Sequence, residues 1–402
     1  MPKPLLNGNA VVAQSGGPTA VINQSLVGVV EGLRGAGAIG TIYGARHGVR
    51  GMVDDQFVDL GATPQATLEL VARTPSAALG STRDKPDAAY CERIFAGLRK
   101  RDVRYFFYIG GNDSSDTCRI VNELSEKAGY DLRCFHVPKT IDNDLVENDH
   151  TPGFPSAARF VAMATMGDNL DNRALPGIKI NVIMGRHAGF LTASSVLAQD
   201  HEDDGPHLIY TPEMVFDPED FSADIERVYR KFGRCVVSVS EGIQDRAGNA
   251  VAATITMLQR ERDAHGNIQL SGVGALGDFL AEQVKRDLTP AGGKPPRVRA
   301  DTFGYMQRYW LDPSPVDAAE ARRVGAFAAE SALRGESDGS VVIRRVSSSP
   351  YRSECGLVKL EQVAAKTRHM PAEFIECPGR VTRAFLDYLR PLVGELPKFE
   401  RL

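Results

Sequence analysis

Val103-Arg104-Tyr105-Phe106-Phe107-Tyr108-Ile109-Gly110-Gly111-Asn112-Asp113-Ser114-Ser115 reads as a strand that breaks into a polar loop. The run to Ile109 is too short for a helix, and two glycines stop it. An apolar run without alternation is what a strand covered on both faces requires, the condition of a parallel sheet. The same pattern recurs along the chain. Ala10–Ala13 precedes Gln14-Ser15-Gly16-Gly17, and Cys134–Val137 precedes Pro138-Lys139-Thr140-Ile141-Asp142. Ile178–Met184 leads into Gly185-Arg186, and Cys235–Val239 into Ser240-Glu241-Gly242.

Helical patterns separate these runs. Asp220–Gly233 places Phe221, Ile225, Val228, Tyr229 and Phe232 on one face, with Gly233 as the stop. Ser314-x-x-Asp317 has the form of a capping box and opens an alanine-rich helix to about Leu333, closed by Gly335. Strands alternating with helices predict an α/β fold of two Rossmann-like, doubly wound domains. Ligands then meet the carboxyl ends of the strands, here in the cleft between the domains. Gln244–Asn267 is polar and turn-rich around an apolar centre and reads as a surface excursion.

The 402 residues suffice for two or three domains, and 43% hydrophobic with 24% charged residues is ordinary globular composition. With 47 basic against 51 acidic side chains the net charge is −4, which offers no bulk attraction for nucleic acid. No stretch approaches a membrane span, and the first residues lack the apolar run of a signal peptide. Six cysteines without a Cys-x-x-Cys pair argue for reduced thiols and a cytoplasmic protein. Histidine spacings of zinc sites and the Gly-x-Ser-x-Gly elbow are absent, and His136 and His187 read as structural.

The strand ends carry the chemistry. Ser15-Gly16-Gly17-Pro18-Thr19 lets backbone amides approach a phosphate, although an ordinary βα turn has the same composition. Gly80-Ser81-Thr82-Arg83 brings either a phosphate ligand or a solvated arginine. Gly110–Thr117 offers oxygen ligands for Mg²⁺ and amides for phosphate, or a simple helix cap. Pro138-Lys139-Thr140-Ile141-Asp142-Asn143-Asp144 is the strongest signal. A carboxylate there can accept a hydroxyl proton while the lysine balances charge on a transferring phosphoryl group.

Gly16-Gly17-Pro18-Thr19, Gly110-Gly111-Asn112-Asp113-Ser114, Pro138–Asp144, Met184-Gly185-Arg186, Ser240-Glu241-Gly242 and Tyr305-Met306-Gln307-Arg308 together resemble the phosphofructokinase family, most closely its pyrophosphate-dependent branch. The resemblance implies Mg²⁺-dependent, reversible phosphoryl transfer from pyrophosphate to the 1-hydroxyl of fructose 6-phosphate. It gives Asp142 the role of proton acceptor. Thr140, Asp142, Met184, Gly185, Arg186, Glu241, Tyr305 and Arg308 become sugar-phosphate contacts, and Gly16, Gly17 and Arg83 donor contacts. Asp113 and Lys139 stand where ATP-using relatives carry glycine, so they implicate pyrophosphate. Asn112 takes the place of the family's metal-linked aspartate. Tyr305 replaces a histidine, and Lys179 is the substitute candidate for an arginine supplied by a neighbouring subunit. The resemblance further implies a donor domain of residues 1–150 plus about 307–360, a sugar-phosphate domain of 151–306 plus part of the tail, and a homodimer or homotetramer without nucleic-acid or membrane partners. An ATP-dependent 6-phosphofructokinase and a catalytically silent regulatory subunit are the rival readings. A nicotinamide oxidoreductase fails on the missing glycine fingerprint.

Overall fold

The computed structural model describes residues 4–259, 274–376 and 379–400. The chain divides into two compact units, Met1–Ser156 with Arg308–Arg368, and Ala157–Gln307 with His369–Leu402. Their sheets are built from β1 (Gly8–Gln14), β2 (Ile39–Ala45), β3 (Phe57–Asp59), β4 (Val103–Gly110), β5 (Arg133–Pro138), β6 (Ile178–Ile183), β7 (Leu208–Tyr210), β8 (Cys235–Ser240), β9 (Val298–Thr302), β10 (Asp338–Ser348) and β11 (Tyr351–Val358).

The first unit holds a seven-stranded sheet in the order β11-β10-β5-β4-β1-β2-β3. The strands from β10 to β2 run parallel, and β11 and β3 are antiparallel edges. Alternate residues of β4 serve opposite cores. Tyr105, Phe107 and Ile109 face the cluster with Ile22, Val30 and Val324, whereas Phe106 and Tyr108 join Cys118, Val121 and Leu98. Both faces are therefore covered, and the uninterrupted aromatic run of the sequence follows from that. On the first face two helices, Ile22–Leu33 and Pro315–Leu333, cross closely. A Cβ on Gly28 would stand 2.1 Å from the Arg322 carbonyl oxygen, and one on Gly325 would stand 2.1 Å from that of Ser25.

The Pro315–Leu333 helix starts as its sequence predicts, with the Ser314 hydroxyl accepting the Asp317 amide at 3.3 Å. The reciprocal half of the capping box is absent. Asp317 instead turns its carboxylate to the amides of Gly153 (2.9 Å) and Ser156 (3.0 Å) and to the Ser156 hydroxyl (2.5 Å).

The second unit has a four-stranded parallel sheet, β7-β8-β6-β9. Its Pro218–Phe232 helix is capped by Asp217 and stopped by Gly233 in the left-handed region, with Phe221, Ile225 and Val228 buried. Gln244–Asn267 departs from the surface reading. After a turn at 245–249 the Val251–Gln259 helix sends Ala252 and Ile255 into the core, and the remainder of that stretch lies outside the described residues. Among the described residues no helix is long and apolar enough to cross a membrane.

Candidate active site

In the first sheet the chain turns outward in opposite directions after β1 and β4, so these neighbours form the switch point where doubly wound sheets bind ligands. The sequence loops meet there. The Ser15 amide donates to the Ile109 carbonyl (2.9 Å), the Lys139 amide to that of Gly110 (2.9 Å), and the Ser15 and Ser114 hydroxyls are bonded to each other. Residues 80–83 cross the glycine loop, with the Gly16 amide on the Thr82 carbonyl (2.8 Å) and the Ser81 hydroxyl on the Gly16 carbonyl (2.6 Å).

Lys139 is buried, and its ammonium donates to the Gly17 carbonyl at 2.8 Å. Gly16 has φ +74°, and a Cβ there would sit 3.1 Å from the Lys139 Nζ; a Cβ on Gly17 would press on the Arg308 guanidinium at 2.8 Å. The loop is thus glycine because two cations lie against it. Burial pushes the Lys139 pKa down to about 7, with Arg308 and Arg83 assisting and Asp142 and Asp144 opposing. Asp144 is displaced the other way, up to about 7, by burial and by the neighbouring Asp142 carboxylate. A lysine and a carboxylate have moved toward each other because their charged forms are both short of water. Three cations and two acids around this glycine loop can hold a small polyanion and move one proton.

The Asn112–Lys127 helix begins at the end of β4, with Gly111 as its cap residue. Much of the Gly110–Thr117 polarity therefore serves the helix. Ser115 Oγ bonds the Asn112 carbonyl (2.8 Å), Thr117 Oγ1 that of Asp113 (2.9 Å), and Asp116 pairs with Arg119 (2.8 Å). Asn112 stays with the loop cluster. Its Nδ2 donates to Asp144 Oδ2 at 3.2 Å, while its Oδ1 is buried with no hydrogen-bond partner. Asp113 lies in the first helical turn, exposed, 3.6 Å from the exposed Lys85. Among the described residues no group of three His, Cys, Asp or Glu side chains could hold a metal ion. An orphaned amide oxygen beside the half-buried Asp144 carboxylate suits a Mg²⁺ whose other ligands are water and phosphate oxygens.

The loop bearing Asp142 is tied down along its length. Thr140 bridges Gly153, the Asp142 amide donates to Thr140 Oγ1 (3.1 Å), and Asn143, at φ +59°, accepts the Thr151 amide through its side chain (3.1 Å).

In the second unit the predicted residues also gather at the carboxyl edge. Met184, Gly185 and Arg186 follow β6, Glu241 follows β8, and Tyr305 follows β9. The Glu241 amide reaches the Ile183 carbonyl (2.8 Å), Ser240 Oγ reaches that of Gly185 (2.7 Å), and Gln307 Oε1 accepts the Met184 amide (3.3 Å). Glu241 is buried and Arg186 exposed. Arg308, grouped in the sequence with Tyr305, belongs to the first unit and lies on the Gly17 loop. Lys179 is engaged within its own unit, paired with Asp168 (3.0 Å) and Asp301. His136 is structural as read, held between Ser340 Oγ (2.8 Å) and the Gly110 carbonyl (2.9 Å) with burial pushing it down to about 4.

The sequence reading missed Lys85 and the contact of Arg308 with the glycine loop, for which no local pattern exists.

Comparison with known proteins gives a consistent answer. The family profile described as phosphofructokinase matches residues 9–332. The pyrophosphate–fructose 6-phosphate 1-phosphotransferase of Rhodospirillum rubrum is 56% identical over 401 residues, spanning 99% of this chain and 97% of that protein. A protein of the same name from Methylococcus capsulatus is 40% identical over 96% of this chain and 91% of its own length. The crystal structure of the pyrophosphate-dependent phosphofructokinase from Nitrosospira multiformis superposes with a TM-score of 0.84 at 35% identity, over 98% of this chain and 94% of that one.

Proposed function

This chain belongs to the phosphofructokinase family, and on that premise we propose that it transfers a phosphoryl group reversibly from pyrophosphate to the 1-hydroxyl of fructose 6-phosphate, yielding fructose 1,6-bisphosphate and phosphate. The observation that carries the choice of donor is the Lys139 ammonium, buried against the glycine loop at 2.8 Å from the Gly17 carbonyl. Pyrophosphate has no nucleoside to grip, so its binding and charge stabilisation must come from protein cations at the phosphates themselves.

The first unit serves the donor. The Gly16 amide is engaged by the Thr82 carbonyl, so Gly16 and Gly17 serve by shaping the loop, and Lys139, Arg83 and Arg308 supply positive charge. Asp142 takes the proton of the sugar 1-hydroxyl; the freed oxygen forms a bond to the nearer phosphorus as the bridging P–O bond breaks and phosphate departs. Asn112 Oδ1 and the Asp144 carboxylate would hold Mg²⁺. Mg²⁺ supplies neutralisation of phosphate charge when bound. Asp113 places a negative charge at the first turn of its helix, where a nucleotide's further phosphate would be repelled.

The second unit offers Met184, Gly185, Arg186, Glu241 and Tyr305 to the sugar phosphate, and Thr140 and Arg308 of the first unit carry the same assignment. The enzyme works in the cytoplasm as a homodimer or homotetramer; the five described cysteines are free, which supports a reducing compartment.

Steady-state assays with pyrophosphate and with ATP test the reading. Turnover with pyrophosphate and negligible turnover with ATP are expected, and preference for ATP would overturn it.

A further inference from the structure

The loop that bears Asp142 is gripped from behind by a buried charge cluster outside the predicted site. Residues 150–153 form the return of the loop. The Thr151 hydroxyl donates to the Thr140 carbonyl (3.0 Å), the Thr140 amide to that of Pro152 (3.2 Å), and the Thr151 amide to the Asn143 side chain (3.1 Å), so the segment that begins at His150 is tied to the residues flanking Asp142. His150 itself is fully buried. Its Nδ1 lies 2.8 Å from Asp149 Oδ2, and its Nε2 lies 2.6 Å from Glu320 Oε2.

Both ring nitrogens face carboxylate oxygens. A neutral imidazole has one donor and would set a lone pair against the second carboxylate; an imidazolium satisfies both. The surrounding groups keep those carboxylates ionised. Asp149 is held by Arg345 of β10 at 3.0 Å. Glu320 of the Pro315–Leu333 helix accepts the Tyr351 hydroxyl of β11 (2.8 Å), the Ser353 hydroxyl and Arg323 (3.2 Å). One turn earlier on that helix, the fully buried Asp317 holds Gly153 and Ser156.

We propose that His150 is a positioning residue for phosphoryl transfer, an imidazolium locked between Asp149 and Glu320 that fixes the Asp142 loop in its working geometry. This rests on the assignment of Asp142 as the base. Burial alone would lower the His150 pKa, but the hydrogen bonds and charges of Asp149 and Glu320 outweigh it and raise it. A raised pKa keeps the clamp closed below that value, and the clamp opens as pH climbs through it.

¹⁵N spectra of the unmodified, histidine-labelled enzyme give the first test. His136 and His207 are pushed down to about 4 by burial, so at pH 7.5 a solvent-shielded ring with both nitrogens protonated is expected from His150. Finding no such ring overturns the proposal, whatever Asp142 does. Kinetics give the second. His150→Gln should lower kcat by ~10²-fold, as small misplacements of a catalytic group do, with KM for pyrophosphate little changed. Glu320→Gln, which removes one negative neighbour, should move the alkaline loss of kcat to lower pH. If Asp142→Asn is inactive while His150→Gln keeps full kcat and Glu320→Gln an unshifted profile, the clamp fails and the base assignment stands. If Asp142→Asn remains active, the base assignment fails instead.

Discussion

The carboxyl edges of the two sheets are built by the same rule and furnished differently. At the first, Lys139 is almost wholly enclosed and burial brings both it and Asp144 to about 7, while Arg83 stays exposed. At the second, the cation Arg186 is exposed, and ordering comes from backbone contacts such as Glu241 to Ile183 and Ser240 to Gly185. A small inorganic polyanion offers only charge, so its site needs cations in a low dielectric, where each is worth more. The second edge, proposed above for a sugar phosphate with its hydroxyls and carbon surface, sets the exposed Arg186 beside the buried Glu241.

The contrast can be broken by substitution. Asp142→Asn should cost ~10²–10⁴-fold in kcat, the usual worth of a general base, while calorimetry detects nearly unchanged fructose 6-phosphate binding. Lys139→Met should lower kcat/KM for pyrophosphate by ~10²–10³-fold, the scale of losing one group that stabilises transition-state charge. The pH dependence of pyrophosphate binding sharpens the same point. Lys139 is depressed to about 7, so its charge is mostly present below that pH and is lost progressively above it; affinity measured by calorimetry should weaken as pH rises from 6.5 to 8.5, and the slope should disappear in Lys139→Met. Arg186→Ala, in the water-exposed site, should raise KM for fructose 6-phosphate by ~10-fold, within the range for a charged hydrogen bond, with kcat for the bound complex less affected. Asp113→Gly is the mildest. Its exposed pair with Lys85 is worth ~0–1 kcal/mol, so melting should scarcely move, whereas ATP should become a measurable donor.

What was legible in the sequence follows the same physics. β1, β4, β5, β6 and β8 could be read because burial on both faces demands unbroken apolar runs. β2, Ile39-Gly40-Thr41-Ile42-Tyr43-Gly44-Ala45, is diluted by glycine and partly exposed, and the β10–β11 hairpin alternates with polar residues at the sheet edge. Neither presents such a run. The site loops were legible as strand ends. The burial of Lys139, the Arg308 contact and the use of Asp317 on Gly153 and Ser156 were not, because each depends on residues brought together only by the sheet.

The return of the chain to its first sheet at β10 has a consequence for synthesis on the ribosome. β5 is finished early, yet its neighbour β10 is made only after the whole stretch Ala157–Gln307 has emerged. Until then β5 presents an unpaired apolar rim, the kind of nascent edge that invites misassembly and the attention of chaperones. A ribosome stalled between these segments would release a chain carrying Asp142 and Lys139 on a half-closed sheet.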